Sequence, residues 1–119
     1  MKLRDVIKAL DGELLFGQKF LDKELETCCG SDLMSDVLAF TKHNTLLCTG
    51  MINIQVVRTA EMTDLGGLVI VRGKYPPASF LEEAEAENLP VISTKHTMFE
   101  ACGILYACGL KGCSPKEST

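Results

Sequence analysis

Between Thr45 and Leu110 a short apolar run, a polar turn and a stretch with apolar positions three and four apart recur three times. TLLCTG-MIN, GLVIVRG-KYP and PVISTKHTM are the three junctions, each predicting a strand that turns into a helix. After the first, Val56, Val57 and Ala60 share one face while Gln55, Arg58 and Glu61 share the other. This predicts a helix from about Asn53 to Asp64, ended by Gly66-Gly67. The second helix starts after Pro76-Pro77 and buries Phe80, Leu81 and Ala84, leaving Glu82, Glu83, Glu85 and Glu87 as a solvated outer face. The third, from about Thr97 to Leu110, carries Met98, Phe99, Ala101, Cys102, Ile104, Leu105, Tyr106 and Ala107 and has almost no polar face. Either another subunit meets part of it or the N-terminal segment covers it.

Upstream, MKLRDVIKAL places Leu3, Val6, Ile7 and Leu10 on one face of an amphipathic helix. Asp11-Gly12 breaks it. ELLF and KELETCC read as two short strands around a Gly17-Gln18-Lys19 turn, forming a hairpin. Gly30-Ser31-Asp32 is a helix-start signal, with Ser31 as cap and Asp32 against the first-turn dipole, and Leu33, Val37 and Phe40 recur along the short helix that follows. Parallel strands joined this way require crossover helices. The prediction is a single α/β domain over residues 1–112 with a mainly parallel sheet built from three βα units, then a flexible polar tail, 113–119.

At 119 residues such a domain buries roughly two-thirds of the surface its unfolded chain exposes. The net charge of −4 and the lack of a basic stripe argue against nucleic-acid binding. No apolar run is long enough to span a membrane, and the mixed charges of the first residues are not those of a signal peptide, so a soluble cytoplasmic protein is expected. The six cysteines are expected to be reduced, with Cys48, Cys102 and Cys108 as small core residues. Adjacent Cys28 and Cys29 would point to opposite faces of a strand, Cys102 and Cys108 are six apart on a helix, and His43 and His96 lie outside any ligand spacing. No metal or cofactor is expected on these grounds. Cys113 is expected to be the most exposed thiol.

The carboxyl ends of parallel strands and the amino ends of the following helices share one edge, where unpaired N–H groups favour anions. This chain puts Thr49, Gly50 and Asn53 there, then Arg72, Gly73 and Lys74, then Ser93, Thr94, Lys95, His96 and Thr97. The candidate ligand-binding residues are Thr49, Gly50, Asn53, Arg72, Lys74, Thr94, Lys95 and His96, a set suited to phosphate or carboxylate. Neither GxxxxGK[ST], GxGxxG nor GxSxG is present, and no nucleophile, base and oxyanion set can be assembled, so no enzymatic activity is expected. Asp32 and Asp36 fall one helical turn apart, but the helix dipole accounts for Asp32 without a cation.

In TLLCTG, VIVRGKYP and VISTKHTMFEACGILY the chain resembles the DRTGG domain family, over nearly its whole length. It is most similar to short stand-alone members encoded near iron-only hydrogenase and electron-transfer genes in anaerobic bacteria. The resemblance implies a three-layer α/β fold similar to the N-terminal domain of HPr kinase/phosphorylase, and a role in regulation or ligand sensing. Thr49-Gly50 matches the Thr-Gly of the signature, while Met51 stands where its second glycine is expected and no Asp-Arg pair precedes it in SDVLAFTKHN. The expected function is a non-catalytic regulatory module, a homodimer that binds a small anionic ligand such as a nucleotide at the strand-end rim. The alternative is an interaction or assembly protein for a hydrogenase or related redox enzyme, docking through the apolar last helix. A third reading is a redox or metal accessory protein that uses its cysteines.

Overall fold

The computed structural model describes residues 1–113. Helix α1, Leu3–Ala9, leads into strand β1, Glu13–Phe16, and a single 3-10 turn at Gln18–Phe20. Strand β2, Thr27–Gly30, is followed by α2, Met34–Phe40. The three anticipated units are β3, Thr45–Thr49, with α3, Ile54–Glu61; β4, Leu65–Ile70, with α4, Ala78–Ala86; and β5, Val91–Ser93, with α5, Met98–Ala107. A two-residue strand β6, Lys111–Gly112, closes the described chain.

The six strands form one sheet in the order β1-β5-β4-β3-β2-β6, parallel except where β1 runs against β5. From β2 to β5 the chain advances in one direction across the sheet, and α2, α3 and α4 pack on one face, around Met34, Val37, Val56, Val57, Phe80 and Ala84. From β5 the chain returns to the far edge, and a right-handed crossover then puts its helix on the other face. There α5 joins α1, with Leu3, Val6, Leu10, Ala101 and Leu105 packed over Leu46, Cys48, Val69 and Ile92. The result is the expected three-layer α/β fold with a core on each side of the sheet. Phe80, 1% exposed, is the largest fully buried side chain and contributes about 2–3 kcal/mol by leaving water.

Four local expectations differ from the structure. ELLF and KELETCC do not form a hairpin: β1 borders β5 and β2 lies between β3 and β6, because each short strand is claimed by a more apolar neighbour. Gly66-Gly67 does not end α3 but lies buried inside β4. A Cβ at Gly66 would meet the Leu25 side chain at 2.7 Å, so the glycine admits cross-sheet packing. The helix stops at Glu61 instead, where the Thr63 hydroxyl donates to the Thr59 carbonyl at 3.0 Å. Helix α2 begins at Met34 with Leu33 in the capping position, and Ser31 closes a local turn by accepting from the Leu33 N–H at 3.0 Å. The most exposed thiol among the described residues is Cys108, and Cys113 is only partly exposed. Positions 114–119 of the anticipated tail lie outside the described residues.

Candidate functional site

The helices that follow β4 and β5 diverge to opposite faces of the sheet, and open α/β sheets bind ligands in the crevice such a divergence leaves. The loops at this point are Arg72-Gly73-Lys74 and Thr94-Lys95-His96. They are laced together: the Arg72 N–H donates to the His96 carbonyl and the Gly73 N–H to the Thr94 carbonyl, each at 2.8 Å. Arg72 and Gly73 both sit in the left-handed region, with φ of 66° and 67°. For arginine that conformation costs roughly 1 kcal/mol, and the two inter-loop hydrogen bonds hold it. The turn presents the exposed Arg72 side chain beside the partly buried Lys74, with exposed Lys95 on the neighbouring loop.

Thr49-Gly50, at the end of β3, adjoins this pair of loops. A Cβ on Gly50 would lie 2.7 Å from Nη2 of Arg72, so the bare backbone lets the guanidinium lie over the turn, and Lys74 Nζ donates to the Gly50 carbonyl at 3.0 Å. An acid that spacing arguments had assigned to the α2 dipole completes the cluster. One oxygen of Asp32 accepts from the Gly50 N–H at 2.7 Å and from the Thr49 hydroxyl at 2.9 Å. The Gly50 N–H bond, the Thr49 hydroxyl and the charges of Arg72 and Lys74 hold its carboxyl below the usual carboxylate range, partly offset by its desolvation. Only tertiary structure reveals this role, because Asp32 and Gly50 are far apart in sequence.

The eight anticipated ligand residues therefore fall into two groups. Arg72, Lys74, Gly50 and Thr49 meet at the end of β3, and Lys95 lies on the adjoining loop beside Gly73. Thr49 and Thr94 are buried and their hydroxyls hold loops in place, Thr49 through Asp32 and Thr94 by donating to the Leu10 carbonyl at 2.8 Å. His96 is half-buried, with Nδ1 3.6 Å from Glu100. Asn53 caps α3, its side chain accepting from the Gln55 N–H at 3.1 Å. His43 lies elsewhere, and its bond to Asp64 raises its pKa. A cavity of about 150 Å³ runs alongside the rim, lined by Gly73, Tyr75, Ser93, Thr94, Lys95 and the Asp11–Glu13 segment.

The pairwise arguments about cysteines hold for the pairs they compared, since Cys29 faces the opposite core from Cys28. They missed a triple drawn from three elements. The sulfurs of Cys28 on β2, Cys48 on β3 and Cys102 on α5 all lie within 4.8 Å of one another. Hydrogen bonding of Cys28 and Cys48 to Cys102 lowers the Cys102 pKa and raises the other two, while burial raises that of Cys29 to about 11.

The DRTGG domain family matches residues 5–108. The chain belongs to that family. Among solved structures, the DRTGG fold seen in this chain is similar to that of the CBS and DRTGG domains from the regulatory region of a Clostridium perfringens pyrophosphatase, complexed with the activator diadenosine tetraphosphate. The TM-score is 0.69 at 17% identity, over 87% of this chain and 45% of that one. This DRTGG domain thus spans less than half of that structure. No curated protein matches the chain. Among its described residues no helix is long and apolar enough to cross a membrane.

Proposed function

We propose that this DRTGG domain is a non-catalytic regulatory module that binds a small anionic ligand, a nucleotide, at the rim where β3, β4 and β5 end. The observation that carries the reading is the meeting of Arg72 and Lys74 at the Thr49-Gly50 turn, with Lys95 on the adjoining loop and Arg72 held in a left-handed turn that is costly for any residue but glycine. Backbone strain concentrates where a side chain must be aimed. The pyrophosphatase region with the same fold was solved with a dinucleotide activator, which makes phosphate-rich nucleotides the first ligands to try.

Titration calorimetry with diadenosine tetraphosphate, ATP and AMP is the test, against Arg72→Gly and Lys95→Ala. At least one nucleotide is expected to bind, and each variant should weaken it by about tenfold, the usual scale for one charged contact. Arg72→Gly is expected to cost no thermal stability, because glycine relieves the turn. Binding that is unaffected by both variants, or absent for every nucleotide, sinks the proposal.

A second reading, docking onto a redox enzyme such as a hydrogenase, is favoured by α5, on which Phe99 and Tyr106 are 87% and 74% exposed. With Gly103 between them they form a stripe at i, i+4 and i+7. The same stripe is a candidate homodimer contact.

A further inference from the structure

Three sulfurs meet on the α5 side of the sheet for reasons that can be traced to register. Cys28 stands opposite Leu46, and Gly30 opposite Cys48, so Cys28 and Cys48 project to the same face with their sulfurs 3.7 Å apart. Helix α5 passes above them and lowers Cys102 onto the pair. Gly30 makes this possible, because a Cβ there would stand 2.6 Å from the Cys102 sulfur and 3.2 Å from the Met98 sulfur. Cys48 is fully buried. Cys28 and Cys102 border a cavity of about 160 Å³ whose wall includes Tyr106 and Lys111.

Core packing asks only for a small apolar group at each of these places and gives no reason for three thiols to converge. Coordination chemistry does. An ion with metal–sulfur bonds of about 2.3 Å in tetrahedral geometry holds its ligand sulfurs about 3.8 Å apart, which is the spacing already present between Cys28 and Cys48. Thiolate and thioether donors select soft cations.

We propose that Cys28, Cys48 and Cys102 bind a single thiophilic d10 cation, copper(I) or zinc, through their three sulfurs, with the remaining coordination position open toward Met98 and the cavity. Copper(I) can use the Met98 thioether, whereas zinc takes a water or another donor that enters through the cavity. Each metal–sulfur bond replaces an S–H bond, the proton leaves to solvent, and no oxidation state changes.

The full-length reduced chain, handled without oxygen, is titrated separately with zinc and with copper(I), and bound ions are counted by native mass spectrometry. One ion per chain is expected in at least one arm, with Cys28 and Cys102, the two thiols that border the cavity, becoming protected from alkylation while Cys108 continues to react. Cys102→Ser should weaken binding by about 100-fold or more, beyond the loss caused by a merely supporting residue, and Cys108→Ser should leave it unchanged. If Cys102→Ser does not fold by circular dichroism, Gly30→Ala replaces it: it keeps all three thiols, crowds Cys102, and is expected to weaken the same binding. No stoichiometric ion in either arm overturns the proposal. So does binding that a folded Cys102→Ser or Gly30→Ala retains at full strength, or an ion that leaves Cys28 and Cys102 as open to alkylation as before.

Discussion

Asp32 takes up the hydrogen-bond donors of the Thr49-Gly50 turn that an anionic ligand would use. An incoming phosphate therefore either sits beside the carboxylate, on Arg72 and Lys95, or displaces it. The acid also makes stability depend on pH. Its carboxyl titrates below the usual range in the fold, so its contribution is complete above the unfolded-state value, near pH 4, and is lost as pH falls through the lower folded value. Urea unfolding from pH 7 to pH 3 should show Asp32→Asn losing less stability than the parent over that acid window, by less than about 1 kcal/mol because the group is exposed. Parallel pH profiles for the two chains would contradict this. None of this was legible in the sequence, where Ser31-Asp32 ahead of a helical period looks like a local cap. Its partners are Thr49 and Gly50, and local patterns carry no information about such distant pairings.

Helix α5 shows what periodicity can and cannot reveal. Its apolar composition correctly signalled a helix with more greasy surface than one sheet can cover, and the exposed Phe99 and Tyr106 are that surplus. Its start was also legible. Thr97 accepts from the Glu100 N–H while the Glu100 side chain accepts from the Thr97 N–H, a reciprocal capping box. Thr97→Ala is expected to cost about 1 kcal/mol in chemical denaturation, with the rim cations left in place; a loss under a few tenths would mean that tertiary packing alone fixes the helix start. The three βα units were readable because fully buried strands give unbroken apolar runs. The two N-terminal strands were not placed correctly, since four residues in a strand do not encode which edge they join. Glycine was ambiguous for a related reason: at Gly66 its value is the absent side chain beside Leu25, and a sequence shows only the letter. Likewise Cys28, Cys48 and Cys102 each have unremarkable neighbours in sequence, and only the β2–β3 register and the path of α5 bring them together.

At the scale of the whole molecule, the two faces of the sheet are unequally covered. Three helices shield one, whereas α1 and α5 shield the other, leaving the Phe99–Tyr106 stripe outermost. A twofold pairing would place each stripe against its copy. Sedimentation velocity across a concentration series is expected to show a monomer–dimer equilibrium, and the double variant Phe99→Glu with Tyr106→Glu should shift it toward monomer with its helical signal intact. A monomer at every concentration would leave the stripe to a different partner.

The return crossover also joins two distant places. Helix α5 begins in the rim loop that carries Lys95 and His96 and bears Cys102 at its middle, packed beside Gly30 where no methyl group could be tolerated without movement. A ten-residue helix behaves as a stiff lever over that distance. If a ligand at the proposed rim site shifts that first turn, the displacement reaches the Cys102 sulfur. An ion proposed to fix the sulfurs would, under that coupling, bias the rim by the same factor in affinity.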